Sequence, residues 1–263
     1  MSVAHFISLP LLAIFVGLSA AIGLTIRRSN HMDLHTPRKD VLGTLLCVIF
    51  GALVGAKALQ LIGQIILHGS NPGFWTLANW ANMMPGFGVF YGGLVGAVLA
   101  ATLYIRKRKL AFGEVADILI PAGVLFHVFG RIGCFFAGCC HGFAAHWGVA
   151  LRGGVPLVPV QLFESSFNLL LLTMMLTLRP ERKRKGILMP LYLIAYSLGR
   201  FGLEFLRGDM NRGAAFGVST SQWISLAILP VGLFMLWNVL SENSAKNSLY
   251  LRRNSLSAVW LWQ

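Results

Sequence analysis

The feature that most constrains the fold of this chain is a series of apolar stretches, each about 20 residues long and nearly free of charge. A helix of that length crosses the hydrocarbon core of a bilayer and satisfies its own backbone hydrogen bonds. Charged residues make up only 12% of the chain, against about 25% in a soluble domain. We therefore predict an all-α integral membrane protein with about seven transmembrane helices. They are expected at residues 6–26, 41–68, 86–105, 116–139, 158–178, 186–206 and 214–240.

The net charge of +13 is distributed in a way that predicts the orientation of these helices. Basic residues cluster after the first, third, fifth and seventh stretches, whereas the alternate connections hold only Arg152, Arg207 and Arg212. By the positive-inside rule, the N-terminus lies outside and the C-terminus in the cytoplasm. This membrane pattern argues against nucleic acid as a partner. We expect one polytopic membrane domain over residues 1–240 and a cytoplasmic tail over 241–263. The clusters are Arg27, Arg28, Arg38 and Lys39; Arg106, Lys107, Arg108 and Lys109; Arg179, Arg182, Lys183, Arg184 and Lys185; and Lys246, Arg252 and Arg253.

Three of the predicted helices carry polar residues at helical spacing, so that each helix has one polar face. The three rows are His127, Arg131 and Cys134; Gln161, Glu164 and Asn168; and Tyr196, Arg200, Glu204 and Arg207. A charge at membrane depth costs about 2.5–3.5 kcal/mol on insertion scales, which makes each charged residue a functional candidate. For Gln161 and Asn168, hydrogen bonding between helices is a sufficient explanation.

Basic residues outnumber acidic ones at these membrane-embedded positions. The basic set is Lys57, Arg131, Arg200 and Arg207, and the acidic set is Glu164 and Glu204. A positive excess within a bundle needs an anion, and the commonest anion in a membrane is a phospholipid headgroup. The planar fork of arginine gives phosphate two parallel hydrogen bonds. We therefore predict that Arg131 and Arg200 bind phosphate, although Glu204 could serve only to neutralise Arg200.

Two glycine-rich segments interrupt the helical pattern. Residues 130–142 read GRIGCFFAGCCHG, and residues 86–96 read GFGVFYGGLVG. A helix that breaks at Gly138 and lines a polar cavity explains the first segment. The second is expected to be a flexible re-entrant segment beside Tyr91. Both lie near the predicted outer half of the membrane, so the site is expected to open toward the periplasm.

The cysteines of the first segment permit three interpretations. Cys134, Cys139 and Cys140 lie with His141 within eight positions. They could bind zinc, although adjacent ligands suit a closed tetrahedral site poorly. They could carry out thiol redox chemistry toward an oxidising compartment, or pack and hydrogen-bond within the polar site. Cys47 is expected to be a small core residue.

The segment 130–142 resembles the signature of the phosphatidylglycerol–prolipoprotein diacylglyceryl transferases, approximately G-R-x-G-N-F-x-N-x-E-x-x-G. The matching residues are Gly130, Arg131, Gly133, Phe135 and Gly142. GGLVG at 92–96 is similar to the family's H-G-G-L-x-G, and QLFE at 161–164 to its Q-L-Y-E. YSLGRFGLEFLR at 196–207 resembles Y-x-x-x-R-x-x-x-E-x-x-R, and SQWISL at 221–226 resembles G-Q-x-x-S. The resemblance covers residues 50–240 approximately.

This resemblance implies an enzyme of the bacterial inner membrane that needs no cofactor and no metal. It implies transfer of the diacylglyceryl group of phosphatidylglycerol to the lipobox cysteine of a preprolipoprotein, with release of glycerol phosphate, or a closely related headgroup transfer. Arg131 and Arg200 would hold the lipid phosphate, and Glu204 would orient Arg200. Tyr196 would hydrogen-bond the headgroup, and we expect a monomer. The other residues expected to bind substrate are Arg207, Gln161, Glu164, Gly142, Cys134 and Cys139.

The departures from the family pattern concern its acid–base positions. Tyr91 stands where the family has histidine, and Cys134 and Cys139 replace a signature asparagine and the signature glutamate. A tyrosine hydroxyl is a weak base at neutral pH, so His127 is a second candidate for the proton acceptor. Two further functions stay open: a membrane thiol oxidoreductase using Cys134, Cys139 and Cys140, and a transporter of an anionic solute or lipid.

Overall fold

The computed structural model shows a helical protein with a few short strands between its helices. It describes residues 3–31, 36–70, 76, 89–150, 154–178, 185–208, 214–215 and 217–259. The α-helices in this part of the chain are α1 (Val3–His31), α2 (Arg38–His68), α3 (Phe90–Arg108), α4 (Phe112–Ala137), α5 (Val160–Thr177), α6 (Leu188–Leu203) and α7 (Thr220–Val259). The strands are β1 (Ala144–Val149), β2 (Ala214–Ala215) and β3 (Val218–Ser219), and β2 pairs antiparallel with β3.

The prediction of a helical membrane protein is confirmed. Among the described residues, five helices are long and apolar enough to cross a membrane, namely α1, α2, α4, α5 and α7. Helix α6 has 16 residues, about 24 Å at 1.5 Å per residue. Large apolar side chains such as Phe50, Ile66 and Phe234 are 60–77% exposed, as expected for surfaces that face lipid. Helix α7 continues through part of the predicted tail to Val259. Seven crossings, their orientation and the domain limits stay predictions.

The chain divides into two compact units, and the smaller one comprises Ser29–Phe112. Within it, α2 and α3 pack closely through two glycines on each helix: Gly51, Gly55, Gly92 and Gly96. A Cβ at any of these positions would approach the backbone of the other helix to 3.0 Å or less. This is the small-xxx-small packing of membrane helices.

The prediction of a flexible re-entrant segment at 86–96 is wrong for its described part. From Phe90 onward the segment is regular α-helix. Gly92 and Gly96 of this part are explained by the close approach of α2 to α3, since a side chain larger than hydrogen at either position would separate the two backbones. Residues 86–88 lie outside the described part of the chain.

The larger unit comprises Met1–Arg28 and Gly113–Gln263. Its apolar core lies where α4, α5 and α6 meet. The buried residues of this core are Val124, Leu172, Met175 and Leu188, and Leu24 of α1 packs against them. Because these side chains are buried and closely packed, they fix the positions of α4, α5 and α6 relative to one another. Each of these helices carries one of the predicted polar rows.

A buried carboxylate joins α4 to the beginning of α6. The first N–H groups of a helix have no partner within the helix. Asp117 of α4 is fully buried, and its two oxygens accept hydrogen bonds from the Gly186 N–H at 2.6 Å and the Leu188 N–H at 3.0 Å. Beside it, Lys185 Nζ lies 2.5 Å from Glu114 Oε1. These contacts position α6 against α4 at the end opposite the polar rows.

Replacing Asp117 with alanine is expected to lower the free energy of unfolding by about 2–3 kcal/mol. The reason is that two buried N–H groups lose their acceptor, and each unsatisfied group costs about 1–3 kcal/mol. Thermal unfolding of the detergent-solubilised protein, followed by intrinsic fluorescence, measures the change. Asp117→Asn keeps one acceptor oxygen and should lose less. An alanine variant as stable as the wild type would contradict this role.

Candidate active site

The predicted break at Gly138 is confirmed, and it ends α4. Gly138 has a φ of +71°, the left-handed conformation that glycine adopts without strain. The Cys139 N–H donates to Cys134 O and the Gly138 N–H to Phe135 O, the paired hydrogen bonds of a Schellman cap. The chain therefore turns sharply away from the helix directly after the polar row of α4.

Gly142 then joins three helix ends. Its N–H donates to Val158 O just before α5, and it forms an antiparallel bridge with Arg207 just after α6. A Cβ at Gly142 would come closer than 3.0 Å to Leu206 O and to Val158 Cβ. A side chain here would therefore push apart the segments that hold the polar rows together.

The prediction of one continuous helix over 186–206, with Arg207 in line with its polar row, is wrong beyond Leu203. Helix α6 ends at Leu203, a 3-10 turn covers Glu204–Leu206, and Arg207 is extended with φ −80° and ψ 142°. The reason is that Arg207 bridges Gly142, which requires an extended backbone. The 3-10 turn still keeps Glu204 beside Arg200.

Glu164 of α5 lies at the centre of the first polar cluster. Its side chain is 1% exposed, and Oε1 lies 2.9 Å from Arg131 Nη2 of α4. The Tyr196 hydroxyl of α6 donates to the same oxygen at 2.8 Å. The three predicted rows thus meet at one buried carboxylate.

His127 completes this cluster on α4. Its Nε2 lies 3.3 Å from Arg131 Nε and 3.5 Å from Glu164 Oε1. A neutral Nε2 accepts a hydrogen bond from Arg131, whereas a protonated one donates to Glu164. His127 therefore lies within reach of both the Arg131 guanidinium and the Glu164 carboxylate.

Tyr192 is a member of the cluster that the sequence analysis missed. Its ring stacks on that of Tyr196 at 5.4 Å. Its hydroxyl lies 3.4 Å from His127 Nδ1 and donates to Asn168 Oδ1 at 3.4 Å. The predicted interhelical role of Asn168 is thereby confirmed. The spacing could have indicated this role, since Tyr192 precedes Tyr196 by one helical turn and so lies on the same face of α6.

The second cluster is centred on Arg200. Its Nη2 lies 2.6 Å from Glu204 Oε2 and donates to Ser221 Oγ at 3.0 Å. Arg207 Nε lies 3.9 Å from the same oxygen of Glu204. The side chain of Arg200 is 8% exposed, and its Nη1 is buried without a hydrogen-bond partner in the described part of the chain. A buried charged donor without a partner costs free energy, and a hydrogen bond to an anion would offset that cost.

Ser221 is the second residue that the sequence analysis did not assign to the site. It lies in the first turn of α7, whose start is fixed by a capping box. The Ser219 N–H donates to Gln222 Oε1 at 3.0 Å, and the Gln222 N–H donates to Ser219 Oγ at 3.2 Å. The motif at 221–226 was recognised, but the contact with Arg200 depends on the packing of α6 against α7.

The positive excess persists in the two polar clusters but is smaller than predicted. The described ionic residues of the two clusters are Arg131, Arg200, Arg207, Glu164 and Glu204. Lys57, which was counted with them, belongs to the smaller unit and donates to Gln60 Oε1 at 3.3 Å. Three guanidinium groups against two carboxylates leave one positive charge.

A thiol cluster lies beside this site, at the turn that follows α4. The three Sγ atoms of Cys134, Cys139 and Cys140 lie within 4.8 Å of one another, and none of these cysteines is in a disulfide. Gln161 Nε2 donates to Cys139 O at 2.5 Å, which connects the turn to α5.

The surroundings of Cys140 favour its thiolate. Hydrogen bonds with Cys134 and Cys139, together with Arg207, hold the pKa of Cys140 below its ordinary value. A pocket of about 190 Å³ adjoins the turn.

Tyr91 is the predicted site residue that belongs to the smaller unit. It lies in the first turn of α3, is 43% exposed and makes an edge contact with the ring of Phe90 at 5.7 Å. Its role as a proton acceptor stays a prediction.

The fold and these clusters define a multi-pass membrane protein with an arginine-rich polar site among its helices. A model of the prolipoprotein diacylglyceryl transferase family matches residues 7–238. The chain is 38% identical over 204 residues to the phosphatidylglycerol–prolipoprotein diacylglyceryl transferase 2 of Clostridium perfringens, covering 74% of this chain and 77% of that protein. It is 32% identical over 230 residues to the corresponding transferase of Clostridium tetani, covering 84% and 89%. The chain belongs to the prolipoprotein diacylglyceryl transferase family, which makes it a transferase.

Proposed function

We propose that this protein transfers the diacylglyceryl group of phosphatidylglycerol to the lipobox cysteine of a preprolipoprotein. The names of its relatives support this donor and this class of acceptor. The observation that carries the proposal is the buried guanidinium of Arg200, whose Nη1 has no hydrogen-bond partner in the described residues. Phosphate oxygens suit such a donor because they accept charge-assisted hydrogen bonds.

The reaction places a developing negative charge on phosphate. The cysteine sulfur forms a bond to the terminal carbon of the diacylglyceryl group, and the bond between that carbon and the phosphate oxygen breaks. The thiol proton passes to a base, and the phosphodiester monoanion leaves as the more highly charged glycerol phosphate. Cations held at the leaving oxygen favour this step because they bind it more strongly in the transition state than in the ground state.

Arg131 and Arg200 are the residues proposed to bind the phosphate. Each is held by a carboxylate, Arg131 by Glu164 at 2.9 Å and Arg200 by Glu204 at 2.6 Å. Glu164 and Glu204 are therefore proposed as positioning residues. They orient the guanidinium groups before the substrate arrives, so that little reorganisation is needed during the reaction.

The other predicted site residues are proposed to line the headgroup and acceptor positions. The Tyr196 hydroxyl donates its hydrogen to Glu164, which leaves its oxygen able to accept a hydrogen bond from the headgroup glycerol. Gln161 has a buried Oε1 without a partner in the described residues, and it is proposed as a second acceptor. The remaining lining residues are Arg207, Gly142, Cys134 and Cys139.

Two residues are candidates for the proton acceptor. His127 is proposed because its Nε2 lies 3.3 Å from Arg131 Nε and 3.5 Å from Glu164 Oε1, at the centre of the first polar cluster. Tyr91 is proposed because it occupies the position of the family's histidine. Neither role requires a metal or a cofactor.

The proposed location is the bacterial inner membrane, with seven crossings, the N-terminus outside and the site open toward the periplasm. The basic clusters support this orientation. The site residues lie near the end of α4 and α6 and the beginning of α5 and α7, whereas Lys185 lies just before α6. Arg179 and residues 182–184 lie outside the described part of the chain. A monomer is proposed as the active form.

A thiol oxidoreductase and an anion transporter, the other two functions considered, differ from the transferase activity of the family to which the chain belongs. The transporter would also require access to the site from both membrane faces.

The test uses the full-length protein in nanodiscs that contain phosphatidylglycerol labelled in its headgroup glycerol. A peptide with a lipobox cysteine is added, and release of labelled glycerol phosphate is followed. We expect release that depends on the peptide and falls by about 10²–10³ in Arg200→Ala, the usual effect of losing one donor to a developing oxyanion.

Two controls make this test specific. Arg106→Ala removes an exposed arginine at the end of α3 and should release glycerol phosphate as the wild type does. A peptide with serine in place of the lipobox cysteine should give no release. Wild-type rates in Arg200→Ala, or release that does not need the peptide thiol, would contradict the proposed function.

A further inference from the structure

The thiol cluster of Cys134, Cys139 and Cys140 has a geometry that the transferase reaction does not explain. Its three Sγ atoms lie within 4.8 Å of one another on one turn. Cys140 has a φ of +62°, which is uncommon for a residue other than glycine. Such backbone conformations concentrate at functional positions, because the surrounding structure must stabilise them.

We propose that Cys134, Cys139 and Cys140 form a three-thiolate binding site for a soft metal ion such as Cu(I) or Zn(II). The resemblance to the family implied no metal, and the replacement of its signature asparagine and glutamate by Cys134 and Cys139 is what creates the site. Thiolates are the ligands that these ions prefer.

The distances between the sulfur atoms fit a three-coordinate ion. A zinc–sulfur bond is about 2.3 Å, so three sulfurs around one ion lie about 4 Å apart. The present separations of up to 4.8 Å therefore need to contract by less than about 1 Å. Cys139 is exposed and follows Gly138, so its side chain can move without disturbing the core.

The backbone of the turn is also held by hydrogen bonds that do not involve the thiols. The cap of α4 fixes Cys139 relative to Cys134, and Gln161 Nε2 donates to the Cys139 carbonyl. A site whose ligands are already close binds an ion with a smaller loss of conformational entropy. The short spacing along the chain, which disfavours a closed tetrahedral site, is compatible with three ligands and one open position.

Nearby cations compensate the charge of three thiolates. Arg207 hydrogen-bonds the Cys140 thiol, and Arg131 interacts electrostatically with Cys134 and Cys140. Three thiolates with a divalent ion carry one negative charge, which equals the one positive charge that the guanidinium groups of the two clusters hold in excess of their carboxylates. Metal binding displaces the thiol protons into the solvent.

The test is a titration of the full-length, reduced protein in detergent with Cd(II) as a spectroscopic probe. Coordination by thiolate produces an ultraviolet charge-transfer band. We expect the band to saturate at one ion per chain. Cys139→Ser should weaken binding by more than about 100-fold, since even second-shell changes cost about 10–100-fold in metal affinity.

Cys47→Ser is the matched control, because Cys47 lies in α2 and outside the cluster. It should leave both the band and the affinity unchanged. A second measurement uses only the wild type: Cd(II) should slow alkylation of Cys139 by a maleimide, measured by peptide mass spectrometry, and should leave Cys47 unaffected. A band that does not saturate, equal affinity in Cys139→Ser, or unchanged alkylation of Cys139 would overturn the proposal. These readouts do not depend on transferase activity.

Discussion

Replacing Arg131 with alanine is expected to lower transferase activity by at least about 10²–10³ and also to destabilise the protein. The activity is lost because one donor to the leaving phosphate is removed. Stability is lost because the Glu164 carboxyl, only 1% exposed, loses its guanidinium partner. Breaking a buried ion pair in this way costs about 3–5 kcal/mol. The glycerol phosphate assay and thermal unfolding measure the two effects separately.

A double variant distinguishes binding of phosphate from simple charge compensation. Arg131→Gln combined with Glu164→Gln removes both charges, so most of the stability should return. Activity should stay low, because neither glutamine supplies a cation to the phosphate. If the double variant regains activity together with stability, then Arg131 serves only as a counter-ion for Glu164.

Features that depend on local sequence were predictable. The apolar stretches predicted the seven α-helices of the described part of the chain, because helix formation and membrane burial are both properties of contiguous residues. The break at Gly138 followed from glycine density alone. The meeting of the polar rows at Glu164 was also predictable in outline, since polar residues within a bilayer turn away from lipid.

Features that depend on contacts between distant segments were not predictable. The end of α6 at Leu203 is set by the pairing of Arg207 with Gly142, 65 residues earlier in the chain. The helical propensity of residues 200–207 does not indicate that the helix ends at Leu203. The contact of Ser221 with Arg200 likewise requires the packing of α7 against α6. Helix spacing predicts which residues share a face but not what they touch.

The error at 86–96 has a different cause. Glycine density is ambiguous, because it accompanies both broken helices and closely packed ones. At Gly138 nothing lies within 4 Å of the position a Cβ would take, whereas at Gly92 a Cβ would meet the backbone of α2. The spacing of Gly92 and Gly96, matched by Gly51 and Gly55 on α2, was the signal for packing.

Replacing Gly55 with leucine is expected to separate α2 from α3 and to lower the free energy of unfolding by about 3 kcal/mol. A Cβ at Gly55 would contact the Gly92 carbonyl oxygen and lie 2.9 Å from Gly96 Cα, and neither backbone atom can move aside alone. Overpacking of this kind costs about 1–3 kcal/mol, and a leucine adds three further carbons. Thermal unfolding in detergent measures the loss.

Gly63→Leu is the matched control on the same helix. Nothing lies within 4 Å of the position that a Cβ would take at Gly63. The same substitution there should leave stability unchanged or raise it by up to about 1 kcal/mol, because leucine is the better helix former. Both variants add the same apolar side chain to α2, so only the contact with α3 separates them. Equal unfolding temperatures for the two variants would contradict the assignment of the glycines to helix packing, and a loss confined to Gly55→Leu would support it.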